Sequence, residues 1–169
     1  RVSLFSFGSN EAPGDGHVVK LTDLTKDLDK VSEKLFALRA AGGTEYVGRA
    51  LNHAMAKLDW SKQKNALKII FVAGNESANQ DKESNYIEEA KLAKKSNIIV
   101  NSFFCGVPTD GNVPTWKEVA QHGNGQFHCI NHNQKLVQIN APMDVKLAKL
   151  NKDLNLSLIH ISEPTRPNE

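Results

Sequence analysis

Two apolar stretches constrain this chain more than anything else in it. Leu67 to Ala73 (LKIIFVA) is nearly all apolar and β-branched at its centre, and Ile98 to Cys105 (IIVNSFFC) is a second apolar strand. A continuous run of this kind suits a strand buried on both faces of a parallel sheet. Helical periodicity fills the interval between the two runs and the chain on either side. Asn85 and Glu88 have capping-box spacing ahead of Ile87, Ala90 and Ala93, and Thr115 and Glu118 repeat that spacing ahead of Val119 and Ala120. Gly125 to Ile130 reads as a last strand, and Leu147, Leu150 and Leu154 as the apolar face of a last helix that starts at Pro142 and Asp144.

Upstream, Val2 to Phe7 and His17 to Leu21 flank a turn-forming cluster, Ser9 to Gly16, and predict a hairpin-like pair. Thr25 is the expected N-cap of a helix whose face is Leu28, Val31, Leu35 and Leu38, with Asp27 and Asp29 in its first turn. Gly42-Gly43 breaks the chain, and Val47, Leu51, Ala54 and Leu58 mark a second helix that begins just after Thr44. Strands that alternate with helices imply an α/β fold with a mostly parallel sheet.

Composition excludes several classes of function. Hydrophobic residues make up 40% of the 169 and the net charge is +2, with the lysines spread over helices, so no nucleic-acid partner is expected. No apolar run approaches the length of a membrane span. No loop ends in the Gly-Lys-Ser or Gly-Lys-Thr of a phosphate loop, and no three-glycine dinucleotide fingerprint follows a strand. Cys105, Cys129, His128 and His132 invite a zinc reading, but no Cys-x-x-Cys pair supports it. His128 and Cys129 would also face opposite ways on a strand. Thiols that pack as small hydrophobes are the favoured reading.

In open α/β sheets ligands gather beyond the carboxyl ends of the strands. Here those ends are Gly8-Ser9-Asn10, Gly74-Asn75-Glu76 and Gly106 onward, joined by the loop Gly42-Gly43-Thr44-Glu45. Thr44 also suits a helix cap, and Asn75 a turn after Gly74.

Several blocks, in their order, resemble the von Willebrand factor A domains. They are VSLFSFG (Val2–Gly8), LRAAGGTEYVGRAL (Leu38–Leu51), IIFVAGNE (Ile69–Glu76), IIVNSFFCG (Ile98–Gly106), Trp116 to Ile130 and APMDVKLAKLNKDLN (Ala141–Asn155), the last resembling a bacterial branch. The resemblance implies a Rossmann-like open, mostly parallel sheet with helices on both faces, lacking its first, central strand. It implies protein–protein binding without catalysis, assisted by Mg²⁺ (or Mn²⁺ or Ca²⁺) at a metal-ion-dependent adhesion site that coordinates a partner's acidic side chain. Thr44 matches the family's threonine. Asn75 stands where Asp is usual, and Glu45 and Glu76 are further oxygen candidates. Ser9 and Asn10 are candidate binding residues. The family's Asp-x-Ser-x-Ser loop belongs before Arg1, so this chain alone is expected to bind no cation. A scaffold module with a degenerate site is the alternative, and an α/β hydrolase using Cys105 or the histidines a distant one. A periplasmic or cell-surface bacterial setting is slightly favoured.

The closing stretch LSLIHISEPTR (Leu156–Arg166) resembles an in-frame translation of a transposase mosaic-end adapter. The expected division is therefore a partial domain over 1–155 and an artefactual tail over 156–169, with a true polar tail as the alternative. The chain reads as an internal slice of a longer protein, and alone it is expected to be insoluble or molten.

Overall fold

The computed structural model describes residues 1–8, 15–39 and 43–131, together with Lys146, Lys149, Leu150 and Lys152. The chain divides into two compact units, Arg1–Asn133 and Gln134–Glu169. The first holds β1 (Val2–Phe7), β2 (Val18–Thr25), α1 (Leu28–Phe36), α2 (Val47–Lys57), β3 (Ile69–Gly74), α3 (Tyr86–Lys95), β4 (Ile99–Cys105), α4 (Val113–His122) and β5 (Phe127–Ile130). This is the order expected from the periodicity. Ser9 and Asn10, most of the final helix, and Ile159 and Ile161 of the tail lie outside the described residues.

The two apolar runs form the parallel pair β3–β4, from Ile69 opposite Ile99 to Gly74 opposite Phe104, and β5 extends it in parallel beside β4. β1 and β2 pair antiparallel with an irregular register. These are two separate sheets, ordered β1-β2 and β3-β4-β5. No Cα of β1 lies within 8 Å of a Cα of β3, whereas paired strands are about 4.8 Å apart. β1 and β3 are therefore not paired with one another, and among the described residues no strand lies between them. α2 packs on β1, β2 and β3, and so spans both sheets.

The core lies where α2, α3 and α4 meet the inner face of β3–β5. Val47, Leu51, Val72, Ala90, Val100, Phe104, Trp116 and Val119 are all buried there. Ser102 is fully buried among them, and its hydroxyl donates to the Trp116 carbonyl at 2.6 Å. Fully burying a Leu, Val or Phe side chain stabilises by about 1.5–3 kcal/mol, so this cluster carries most of the hydrophobic contribution. The outer face of the same sheet is wet: Phe71 is 65% exposed and stands in a row with Phe103 and His128.

Two helix starts differ from the sequence reading, each because another interaction claims the expected cap. β2 runs on to Thr25, which pairs with Val2, so the helix opens two residues later. Asp27 caps α1, accepting the Lys30 N–H at 3.0 Å, while the Thr25 hydroxyl accepts the Asp27 N–H. Asn112 precedes α4, and Thr115 lies inside the first turn, where its hydroxyl accepts the Ala78 N–H at 3.1 Å. The apolar face of α1 also differs from expectation, because Leu28, Leu35 and Leu38 are exposed.

Candidate functional site

The carboxyl ends of β1 and β3 converge on a single side chain, Glu45. Gly8, just past β1, has a left-handed φ of 80°, and a Cβ there would sit 2.7 Å from the Thr44 carbonyl oxygen and 3.8 Å from Glu45 Oε2. Gly74, the last residue of β3, approaches Glu45 from the other side, where a Cβ would sit 2.7 Å from Oε1. Both glycines are demanded by close approach, and the φ of Gly8 adds a conformational reason. The loop Thr44–Glu45 enters α2 through Tyr46, whose side chain makes no cap, so Thr44 is not the helix cap.

Hydrogen bonds lock the two loops together. Glu45 Oε1 accepts the Asn75 N–H at 3.2 Å, with the Glu76 N–H as a second donor to the same carboxylate. Gln80 ties the arrangement from behind: its side-chain oxygen accepts the Glu45 N–H, and its amide nitrogen donates to Glu76 Oε2 at 2.7 Å. The Trp116 indole N–H donates to the Glu76 carbonyl at 2.6 Å. Burial pushes the Glu45 carboxyl above the usual range. The Asn75 N–H opposes this shift, and the neighbouring Glu76 charge adds to it.

The structure thus brings together Thr44, Glu45, Asn75 and Glu76, the four predicted residues it describes. Gln80 and the Trp116 indole complete the site and were not foreseen. Gln80 is 35 residues from Glu45, beyond any helical or strand period that could link them.

Whether these groups can hold a cation is decided by their commitments. One carboxylate is engaged by backbone amides and the other by Gln80, while Thr44 and Asn75 bring no charge. Among the described residues, no three of His, Cys, Asp or Glu converge on a point suited to a metal. The donors present do not, by themselves, make a site for a hard divalent ion, which wants carboxylate oxygens free to turn toward it.

The surroundings of Cys105 do not activate its thiol. Burial pushes the Cys105 thiol up, and the Glu45 charge and then Cys129 push it further, which lowers the thiolate fraction. Cys129 Sγ donates to the Gly106 carbonyl at 3.3 Å. His128 is exposed against Phe103, turned away from Cys129 as the strand alternation requires.

Over residues 1–141 the sequence matches the family model of the von Willebrand factor type A domain. The chain belongs to this family. As a VWA domain it has the family's Rossmann-like α/β architecture, with β3–β5 as its parallel part. Among curated proteins none matches the sequence. Solved structures with a similar fold include proximal thread matrix protein 1 of the mussel byssus, with a zinc-occupied MIDAS motif. Its TM-score is 0.58 at 12% identity, over 90% of this chain and 33% of the mussel chain. The VWA domain of SpRpn10 has a TM-score of 0.58 at 20% identity, over 79% of this chain and 66% of that one. BatB of Bacteroides thetaiotaomicron, a conserved hypothetical protein, has a TM-score of 0.53 at 17% identity, over 92% of this chain and 78% of BatB. At such identities the likeness is one of fold. The chain spans about a third of the length of the mussel protein. Among the described residues no helix is long and apolar enough to cross a membrane.

Proposed function

We propose that this VWA domain is a non-catalytic protein-interaction module whose contact surface is the carboxyl edge formed by Thr44–Glu45 and Asn75–Glu76. Domains of this family generally mediate protein–protein interaction. The observation that carries the reading is the Glu45 carboxylate, pinned between Gly8 and Gly74 on the amides of the Asn75 loop. It fixes two loops from distant parts of the chain as one rigid surface, and leaves the Asn75 side chain exposed at its tip. Preorganised loops lower the entropy cost of binding. In this chain the contact is made without a metal.

Peptides selected from a random display library on the immobilised chain test the reading. Asn75→Arg with Glu76→Lys should weaken the dominant binders at least about tenfold, the loss expected from disabling a central contact, with the circular dichroism spectrum of the folded chain retained. Binders indifferent to both substitutions would place the contact surface elsewhere.

A cation-assisted version is favoured by the zinc-occupied MIDAS motif of the mussel protein. It requires a longer chain that supplies Asp-x-Ser-x-Ser at this edge, with Thr44 as a ligand. Calorimetry with Mg²⁺ separates the two versions. The present chain should show negligible heat, and a longer chain should bind, more tightly after Asn75→Asp and more weakly after Thr44→Ala. Equal affinity in all three longer forms would remove the cation from this edge.

A further inference from the structure

Between α2 and the start of α3 lies a pocket of about 280 Å³. Arg49, Asn52 and His53 line it from α2. Opposite them stand Glu83 and Ser84, from the loop before α3, and Glu89 of that helix's first turn.

The lining is polar throughout, and its charges do not balance. Arg49, its cation, is already committed. Nε and Nη2 donate to Asp81 at 2.6 and 3.0 Å, and Nη2 also reaches Glu83 at 3.0 Å. The carboxylates of Asp81, Glu83 and Glu89 thus stand against one guanidinium. Lys57, one turn beyond His53 on α2, is held by Asp15 at 2.7 Å. Glu89 is the acid left over. It accepts only long bonds, from Asn52 Nδ2 at 3.3 Å and from Ser84 Oγ at 3.4 Å, whereas a carboxylate paired with a cation holds its donors at about 2.7–2.9 Å. His53 adds no charge near neutral pH. Burial and then Lys57 lower its imidazole, Asp15 opposes them, and Arg49 adds to the shift. Its Nδ1 is buried and has no hydrogen-bond partner among the described residues. Buried polar atoms in that state are rare, and a proton donor entering the pocket beside the ring would relieve it.

This chemistry selects the occupant. An anion would meet uncompensated carboxylates. A metal ion is no better served, because among the described residues no three of His, Cys, Asp or Glu converge to hold one. An organic cation remains. An ammonium suits the pocket better than a guanidinium does. It is a compact charge with three rotatable donors, matched to acceptors on different elements, whereas the planar fork matches a single carboxylate. The volume admits that group with part of its alkyl stem, since one water takes about 30 Å³. We propose that this pocket receives the ammonium group of a lysine side chain carried by a partner polypeptide, with Glu89 as its main acceptor and Glu83 at the rim. Glu83 is 81% exposed there. Leu92 lies three residues on from Glu89, on the same face of α3, and is 46% exposed. It offers the residues beside that lysine an apolar surface that a free amine cannot use. The pocket shares no residue with the carboxyl edge, so the two surfaces stand or fall separately.

The test follows amide NMR spectra of the isotope-labelled chain as the capped peptide acetyl-Leu-Lys-Leu-amide is added. The amides of Asn52, His53, Ser84 and Glu89 should shift and saturate at about millimolar peptide, the range of a single anchored side chain. The same peptide with its lysine acetylated at Nζ should bind at least about tenfold more weakly, the effect of losing charge-assisted hydrogen bonds. Glu89→Gln should weaken the unmodified peptide about as much, while keeping an acceptor for Asn52 and Ser84. Glu88→Gln removes the same charge one residue away, where Lys91 pairs with it at 2.8 Å, and should leave the affinity unchanged. Butylamine, which brings the ammonium without a peptide, should bind at least about tenfold more weakly than the peptide. Equal binding of the acetylated peptide or of butylamine overturns the proposal. So does an equal loss in Glu88→Gln, a set of shifts centred elsewhere, or the absence of any saturable shift.

Discussion

Glu45 shows how much a single side chain must reconcile at a sheet edge. Burial raises its carboxyl above the ordinary value of 4.5, so the folded chain holds that proton more tightly than the unfolded chain does. The side chain therefore favours the native state most below the unfolded value, and this contribution is lost as pH rises through the folded one. Glu45→Gln keeps an acceptor for the Asn75 N–H and removes the charge. It should raise the melting temperature near neutral pH, with the gain fading in acid, as a series of melts across that range would show. A variant less stable at every pH would mean that the charge itself holds the loops. Arg49 and Asp81 present the opposite case. Burial alone would raise the Asp81 carboxyl, but the bidentate Arg49 guanidinium, at 2.6 and 3.0 Å, and the Glu83 N–H bring it below its ordinary value. Arg49 also reaches Glu83 and lies over the Tyr46 ring at 4.7 Å. Arg49→Met leaves Asp81 buried without its cation and should cost about 3 kcal/mol in denaturant melts near neutral pH. The penalty should shrink as pH falls through the depressed Asp81 value, and adding Asp81→Asn should recover much of it. Of these residues, Thr44, Glu45, Asn75 and Glu76 were legible because strand ends and a glycine-flanked loop mark them locally. Arg49, Gln80 and Asp81 were not, because their partners are distant in sequence and nothing local distinguishes them from solvated polar side chains.

At the scale of elements, the best-read parts are those whose signals are used locally. Asn85 does what its spacing suggests, with Oδ1 accepting the N–H groups of Ile87 and Glu88 at 2.9 and 3.2 Å. Asn85→Ala should therefore cost about 1 kcal/mol, as measured by chemical denaturation. An unchanged midpoint would show that packing on α2 and α4 holds the helix start by itself. Glu88 departs from the capping-box pattern: its carboxylate takes Lys91 at 2.8 Å. Thr25 and Thr115 carry equally plausible local signatures, yet a strand pairing claims the first and a loop amide claims the second. The apolar stripe of α2 was legible except at its end: Val47, Leu51 and Ala54 are buried, whereas Leu58, the expected fourth member, is the extended C-cap residue and only half-buried. The stripe of α1 was legible as a helix but not as a surface, because periodicity says which residues share a face and is silent on whether anything covers that face.

For the whole molecule, element order and fold class followed from apolar runs alternating with helical segments, whereas the division into two sheets came from the family resemblance alone. The division should show in solution. β1–β2 is a two-stranded ribbon, and such ribbons are marginal unless they pack on other elements. Its hold on the rest runs through α2. Amides of β1 and β2 should exchange faster than those of β4, which is paired on both sides, and the chain should bind an apolar dye through Phe36, Leu67 and Phe71. Uniform exchange across all five strands, with no dye binding, would indicate a single cooperative unit. The placement of α2 has a further, mechanical consequence. A pull applied between Arg1 and Asn131 meets no ladder of backbone bonds running from one sheet to the other, so the load falls on the side chains seated beneath one helix. Ladders resist shear by sharing force among many bonds, while a packed helix has no such reserve. The molecule should yield first at that seam, shedding its hairpin at low force and leaving the parallel sheet standing.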